Sequence, residues 1–271
     1  MCSHCRAFVS SADRVCPYCD APLGPRAAER LPYTGAVAGL IPQARFTTSM
    51  ILLINFALYM ASMLFSIRAG ATGGPLDISG GVLYQLGAKF SPAILQGGDW
   101  WRLVTAGFLH GGLFHILMNS WALFDLGSQV EEIFGAPRLI TFYFLATVGG
   151  FLASTLWNPG LSVGSSAGIF GLIGVMIALG IKARSALGDH IRTLYTRWAL
   201  YGLLFGLLPF FQVDNAAHLG GLAAGFGAAW LAGLPNPFNP ATETIWRWVS
   251  YVCLALTAYA FGRMFLGWAK F

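Results

Sequence analysis

The sequence reads as an all-α membrane protein, a polytopic helical bundle of seven transmembrane helices, behind a small cysteine-rich N-terminal module. Three observations lead there. Of 271 residues, 56% are hydrophobic and only 10% charged, against roughly 25% charged in an ordinary soluble domain. The apolar residues gather into long stretches nearly free of Asp, Glu, Lys and Arg, split by short loops that hold most of the charge, as membrane spans do. The 34 glycines suit helices that must approach closely where lipid gives them no hydrophobic drive to associate.

The net charge of +5 and the pI of about 9.1 would suit nucleic acid in a soluble protein. Here the basic residues sit in loops beside spans and form no stripe interleaved with aromatics, so they are expected to set topology. The lipid bilayer is the expected partner, and nucleic acid is not.

Four of the five cysteines fall within the first 19 residues, as Cys2-x-x-Cys5, ten intervening residues, and Cys16-Pro17-Tyr18-Cys19. Two such knuckles each place two thiolates on a tight turn, and together they suit tetrahedral zinc. Paired disulfides would be opposed by a reducing cytosol, and a redox pair would not need the duplication. A piece this short cannot fold on its own core, so structural Zn2+ would supply most of its folding energy. Residues 1–22 are thus expected to be a zinc-ribbon-like knuckle. Residues 23–46, with Pro25, Pro32, Pro42 and scattered Arg, read as a linker, and 47–271 as the transmembrane domain.

The chain opens without a secretory signal pattern and stays mixed in polarity to about residue 46, so the first span is expected to act as its own targeting signal. That span is 47–67, long enough for a ~30 Å hydrocarbon core. Further spans are expected at about 113–130, 138–157, 167–183, 197–213, 216–234 and 246–266. With the amino terminus inside, Arg26, Arg30, Arg45, Arg138 and Arg247 fall on the cytoplasmic side with the loop around Lys182, Arg184, Arg192 and Arg197, which satisfies the positive-inside rule. The carboxyl terminus then lies outside, and the knuckle sits in the reducing compartment. Trp100, Trp101, Trp230, Trp246 and Trp248 read as interface anchors.

Polar groups inside spans are costly, so the exceptions point to a site. His110, His115 and Asn119 lie at the start of the second span, Ser165 and Ser166 open the fourth, and His218 begins the sixth. All three helix ends face outward at one depth. After Asn158-Pro159-Gly160, the fourth helix is expected to start at Gly164-Ser165-Ser166, where the free backbone N–H groups and the helix dipole favour an oxyanion. Positions 218, 221 and 225 share one helical face, and 166, 170 and 174 share another. Small Gly174, Gly221 and Gly225 would let those faces close, bringing the Ser166 hydroxyl to the His218 imidazole as a nucleophile needs its base. His115 and Asn119, four apart, project together as candidate oxyanion donors. Ser165, His110 and Asp214 are weaker candidates: the spacing favours Ser166, His110 reads as a loop neighbour, and Asp214 as an outer-loop residue.

These residues resemble the rhomboid family, in the expected order from about Trp101 to Gly225. Trp101-Arg102 resembles the WR pair of its first external loop, His115-x-x-x-Asn119 its HxxxN, Gly164-x-Ser166 its GxSx, and His218-x-x-Gly221-x-x-x-Gly225 its HxxGxxxG. The resemblance implies a Ser-His dyad protease cutting single-pass or other membrane-protein substrates within or beside their transmembrane segments, with no cofactor in the chemistry. It also implies an oxyanion site at His115 and Asn119, a structural Glu131 at the inner end of the second span, and a six-plus-one arrangement in a bacterial-type cell membrane. Two positions depart from the pattern: Ala167 stands where many relatives have Gly, and Phe170 where some carry Tyr packed on the base. Phe stacks but offers no hydroxyl.

Two rival functions are weighed. A transporter would want a membrane-centred acidic pair, an inverted repeat or polar groups spread from face to face, and the sequence has none. An inactive rhomboid-like client-binding protein would typically lack Ser166 or His218.

Overall fold

The computed structural model describes residues 4–5, 15–21, 45–70, 77–208, 213–233 and 240–268. The chain divides into two units, 1–43 and 44–271. In the first, the Cys16 N–H donates to the Ala21 carbonyl at 2.9 Å and the Asp20 N–H to the Cys16 carbonyl at 3.0 Å. Asp20 takes a left-handed φ of 54°, which Asp tolerates better than most residues. Cys2 and nearly all of the 23–46 linker lie outside the described residues.

In the second unit every regular element among the described residues is helical, beside two isolated bridges, Asp77 with Gly112 and Lys89 with Ser162. Helix α1 is Phe46–Arg68. A loop region follows with three short helices, α2 (Gly80–Gln85), α3 (Ser91–Leu95) and α4 (Arg102–Thr105). Six long helices complete the unit: α5 (Leu113–Phe134), α6 (Ala136–Trp157), α7 (Ser166–Ala183), α8 (Ala186–Phe205), α9 (Asn215–Ala232) and α10 (Pro240–Trp268). Phe46–Arg68, Ala136–Trp157, Ser166–Ala183 and Ala241–Gly267 are each long and apolar enough to cross a membrane. The chain is an integral, multi-pass membrane protein. The other three long helices are less apolar, with His115, Asn119, Asp125, Glu131 and Glu132 on α5, Asp189, His190, Arg192 and Arg197 on α8, and Asn215 and His218 on α9.

Local chemistry explains the boundaries. α5 begins after Gly111-Gly112 and ends at Gly135 with φ 80°, a conformation that favours glycine. α6 then starts with Pro137 in its first turn, where a missing N–H costs nothing. At α9, the Asp214 carboxylate accepts from the Ala217 N–H at 3.1 Å, as an N-cap does. Glu131, expected to be structural, accepts from the Thr47 N–H (2.8 Å), the Thr48 N–H (2.9 Å) and the Thr48 hydroxyl (2.8 Å). It satisfies two of the orphan donors of α1 and ties that helix to α5.

The fifth span needs correcting. It was expected at 197–213, with Arg192 and Arg197 in a basic loop; α8 instead spans Ala186–Phe205 and the preceding loop shrinks to Arg184 and Ser185. The Ser185 hydroxyl accepts from the Gly188 N–H at 3.1 Å, so the helix begins as soon as a cap is available. Hydropathy misses this start because the first turns of α8 are polar. Residues 209–212 of the expected span lie outside the described residues.

α7 is the buried axis of the unit, with 72% of its length inside the protein, and it packs on α5, α6, α8 and α9. Its contact with α9 is made backbone to backbone. A Cβ at Gly221 would meet the Ala167 carbonyl, one at Gly225 the Gly171 carbonyl, and one at Gly174 the Leu222 carbonyl. The face of α7 that receives α9 thus includes the expected Ser166, Phe170 and Gly174, the first two through the His218 side chain, and widens to Ala167 and Gly171, where the backbones meet. α6 joins the same seam: a Cβ on Gly150 would lie 2.6 Å from the Ala217 carbonyl oxygen and 2.8 Å from the Ala167 Cβ.

Candidate active site

The close α7–α9 seam brings two side chains together that lie 52 positions apart in sequence. The Ser166 hydroxyl is 2.9 Å from His218 Nε2. Ser166 is the first residue of α7 and His218 lies in the first turn of α9, so both sit at one end of the bundle. His218 is 6% exposed. Its ring lies flat on Phe170, with centroids 4.0 Å apart and planes 11° apart. Among the described residues, His218 Nδ1 has no hydrogen-bond partner. The Phe170 face therefore fixes the ring plane that a hydrogen-bonding third residue fixes in a triad.

Asp214 is engaged elsewhere. It caps α9 through Ala217 and accepts a hydrogen bond from the Ser154 hydroxyl of α6. Ser165 faces away from His218: its hydroxyl lies 3.3 Å from His110 Nε2, and both residues are fully buried.

Gly164 takes φ 132° and its N–H donates to the Ala106 carbonyl at 2.9 Å. A Cβ there would stand 2.6 Å from His115 Nε2 and 3.5 Å from Asn119 Nδ2. Both side chains thus converge on the turn that presents Ser166, and only a glycine admits them. The His115 ring is held by the Gly111 N–H on Nδ1 at 3.4 Å and by an edge-to-face contact with His110, centroids 5.1 Å apart. This leaves Nε2 on the side of Gly164. Asn119 Nδ2 is buried with no hydrogen-bond partner among the described residues. A buried, unspent donor is expensive, and here it stands beside the first N–H groups of α7, which have no helical acceptor.

The loop before Ser166 is anchored by residues that carried no sequence signal. Lys89 is wholly buried. Its ammonium donates to the carbonyls of Asn158 and Gly160, its backbone exchanges two 3.0 Å hydrogen bonds with Ser162, and the Ser91 hydroxyl donates to Asn158 O at 2.8 Å. Burial pushes the Lys89 ammonium below the ordinary lysine value, with the Asp214 carboxylate opposing the shift. A lone lysine among loop residues has no periodicity to betray it.

Trp101 and Arg102 brace the same loop region. The Trp101 Nε1–H donates to Asp99 Oδ1 at 3.1 Å. Arg102 donates to Asp99 Oδ2 at 3.0 Å, to Tyr84 O at 2.6 Å and to Ala88 O at 3.1 Å. Of the tryptophans read as interface anchors, Trp100, Trp230 and Trp248 are exposed, whereas Trp246 packs against Phe142 and over the Arg138 guanidinium.

In the N-terminal unit the ligand atoms of Cys5, Cys16 and Cys19 lie within 4.8 Å of one another. Cys5 and Cys16 are 3.6 Å apart at sulfur, too far for a disulfide. Three convergent thiols fit a soft, tetrahedral metal ion.

The family model described as the Rhomboid domain matches residues 97–235, just over half of the chain. Rhomboid protease GluP of Bacillus subtilis (strain 168) is 36% identical over 166 residues, covering 59% of this chain and 32% of that protein. Inactive RHOMBOID-like protein 8 of Arabidopsis thaliana is 32% identical over 58% of this chain and 45% of that protein. Rhomboid-like protease 2 of Toxoplasma gondii is 30% identical over 214 residues, covering 76% of this chain and 74% of that protein. The chain spans only about a third of the length of the Bacillus relative. The aligned region contains every element of the Ser166–His218 site, and the chain belongs to the rhomboid family.

Proposed function

We propose that this protein is an intramembrane serine endopeptidase that hydrolyses peptide bonds within or beside the transmembrane segments of membrane-anchored substrates. The observation that carries the reading is the 2.9 Å contact between the Ser166 hydroxyl and His218 Nε2. With its proton on Nδ1, His218 accepts the hydroxyl proton through Nε2 while Ser166 Oγ attacks the substrate carbonyl. The oxyanion develops beside Gly164, where the Ser166 N–H, His115 Nε2 and Asn119 Nδ2 offer donors; one such donor is typically worth about 3 kcal/mol in the transition state. His218 then protonates the leaving amine. A water, deprotonated by the same imidazole, releases the acyl group and restores Ser166.

The alternative is a client-binding protein without hydrolysis, and one relative is named inactive. Against it, a hydroxyl and an imidazole held in contact by Phe170, with an unspent amide beside them, serve bond cleavage and add nothing to holding a client. Purified protein in liposomes is expected to cleave a single-pass substrate, and Ser166→Ala to abolish cleavage while keeping the unfolding midpoint. A mutant that cuts as well as the parent would remove the dyad.

The membrane orientation that supports this reading places the amino terminus in the cytoplasm and the carboxyl terminus outside, in a bacterial-type cell membrane, with the active site at the external end. Residues 1–22 would form a zinc-ribbon-like knuckle with Cys2, Cys5, Cys16 and Cys19 as ligands, 23–46 a linker, and 47–271 the transmembrane domain. Zn2+ would hold that knuckle folded and take no part in the hydrolysis.

A further inference from the structure

A cleft of about 490 Å3 opens between the 77–112 loop region and the last turns of α10, away from Ser166; Tyr84, Gln85, Asp99, Trp101, Arg263 and Leu266 line most of it. Its size lies in the range of small-molecule sites, roughly 300–1,000 Å3. We propose that it binds the phosphate-bearing headgroup of one membrane phospholipid, with Arg263 as the phosphate ligand.

The charges decide the class of ligand. Asp99 and Arg102 neutralise each other at 3.0 Å. Arg102 is further occupied by two backbone carbonyls and lies between the faces of Tyr84 and Trp101, 4.5 and 4.8 Å from their ring centres. Arg263 is different. Its Nη1 donates to the Tyr259 hydroxyl at 3.2 Å, and among the described residues no carboxylate pairs with it. A guanidinium has five N–H donors in a fork that matches a phosphate. The cleft therefore offers one uncompensated cation with donors to spare.

The surroundings decide the source of the phosphate. Arg263 lies near the end of Ala241–Gly267, a span of which only 22% is buried inside the protein, so lipid surrounds it. A cation there reaches the level of the headgroups, and the Tyr84 and Trp101 rings beside it are the amphipathic type found at that level. Val252, Leu256 and Tyr259, on the turns of α10 before Arg263 and on its face of the helix, are 58%, 47% and 59% exposed, giving an acyl chain an apolar track that leads from the cleft into the bilayer. A soluble phosphate would use the guanidinium and leave that track empty. Nothing in this site depends on the protein being a protease.

The test uses the full chain in mild detergent, followed by native mass spectrometry and by thermal unfolding. The probes are phosphatidylglycerol, phosphatidylethanolamine and, separately, glycerol phosphate. We expect retention of phospholipid that saturates at one molecule per chain and raises the unfolding midpoint. Arg263→Gln should weaken it by about ten-fold or more, the order expected for losing hydrogen bonds to a charged group. Gly267→Trp, which adds bulk at the cleft wall and keeps the Arg263 charge, should also weaken it, and both variants should match the parent's midpoint without lipid. Retention in both variants equal to the parent, or binding that never saturates as for bulk annular lipid, overturns the site. Glycerol phosphate that gives the same shift at the same concentration overturns the lipid assignment and leaves a plain phosphate site.

Discussion

Asp214 spends its carboxylate on the Ala217 N–H and the Ser154 hydroxyl, while His218, one turn further along α9, keeps Nδ1 without a partner among the described residues. The nearest acid to the base is thus a helix cap and a tie to α6. Asp214→Asn keeps a capping oxygen, and is expected to retain hydrolysis within about ten-fold of the parent, where a triad acid replaced by its amide typically costs about 10⁴. Asp214→Ala removes the cap and should cost about 1 kcal/mol of stability. Substrate kinetics and detergent unfolding on the pair distinguish the roles; a thousand-fold loss in Asp214→Asn at full stability would make Asp214 a third catalytic residue.

The stacked pair of Phe170 and His218 leads to a second expectation. Phe170→Tyr keeps the ring face, while Phe170→Ala frees the imidazole to rotate and opens a cavity costing about 3–5 kcal/mol. Activity should follow the ring: near parental in Phe170→Tyr, and in Phe170→Ala reduced mainly in kcat at a temperature where the protein remains folded. An unchanged kcat in Phe170→Ala would show that the ring plane is fixed by something else.

How far the sequence could be read follows from which features are periodic. The meeting of Ser166 with His218 was legible because each begins an apolar run and carries glycines at helical spacing behind it. The surface of α7 that meets α9 was legible only in part: Ser166, Phe170 and Gly174 face it as their spacing suggests, while the backbone contact at Ala167 and Gly171 is not given by which positions share a face. Gly171 accepts Gly225, while Phe170 turns to the imidazole. The start of α8 was hidden by Arg192 and Arg197, which look like loop charges until Ser185 is seen capping the helix. Lys89 was invisible, since a buried ammonium held by loop carbonyls depends on long-range contacts with Asn158 and Gly160.

Lys89 also yields a prediction. Lys89→Met removes the ammonium from the Gly160 carbonyl and leaves the Asn158 carbonyl with the Ser91 hydroxyl alone, at a total of about 1–3 kcal/mol. The unfolding midpoint should fall, and the loop from Asn158 to Gly164 should become more susceptible to added protease. A midpoint and a digestion pattern identical to the parent's would mean that water satisfies those carbonyls equally well.

The last prediction concerns the seam. Gly221 lies against the Ala167 carbonyl and Gly225 against that of Gly171, both backbone groups that cannot swing aside as a side chain would. Gly225→Val lies two turns below His218, so it tests packing without touching the Ser166 hydroxyl. Overpacking of this kind costs typically about 1–3 kcal/mol and more when no rotamer change relieves it. The variant should unfold at lower temperature and lose hydrolysis, because pushing α9 off α7 lengthens the 2.9 Å contact between Ser166 and His218. Gly227, on the same helix with nothing within 4 Å of an added Cβ, provides the control: Gly227→Val should leave both properties near parental. Equal behaviour of the two variants would show that α7 and α9 are not held together at their backbones, and the dyad distance would then need another cause.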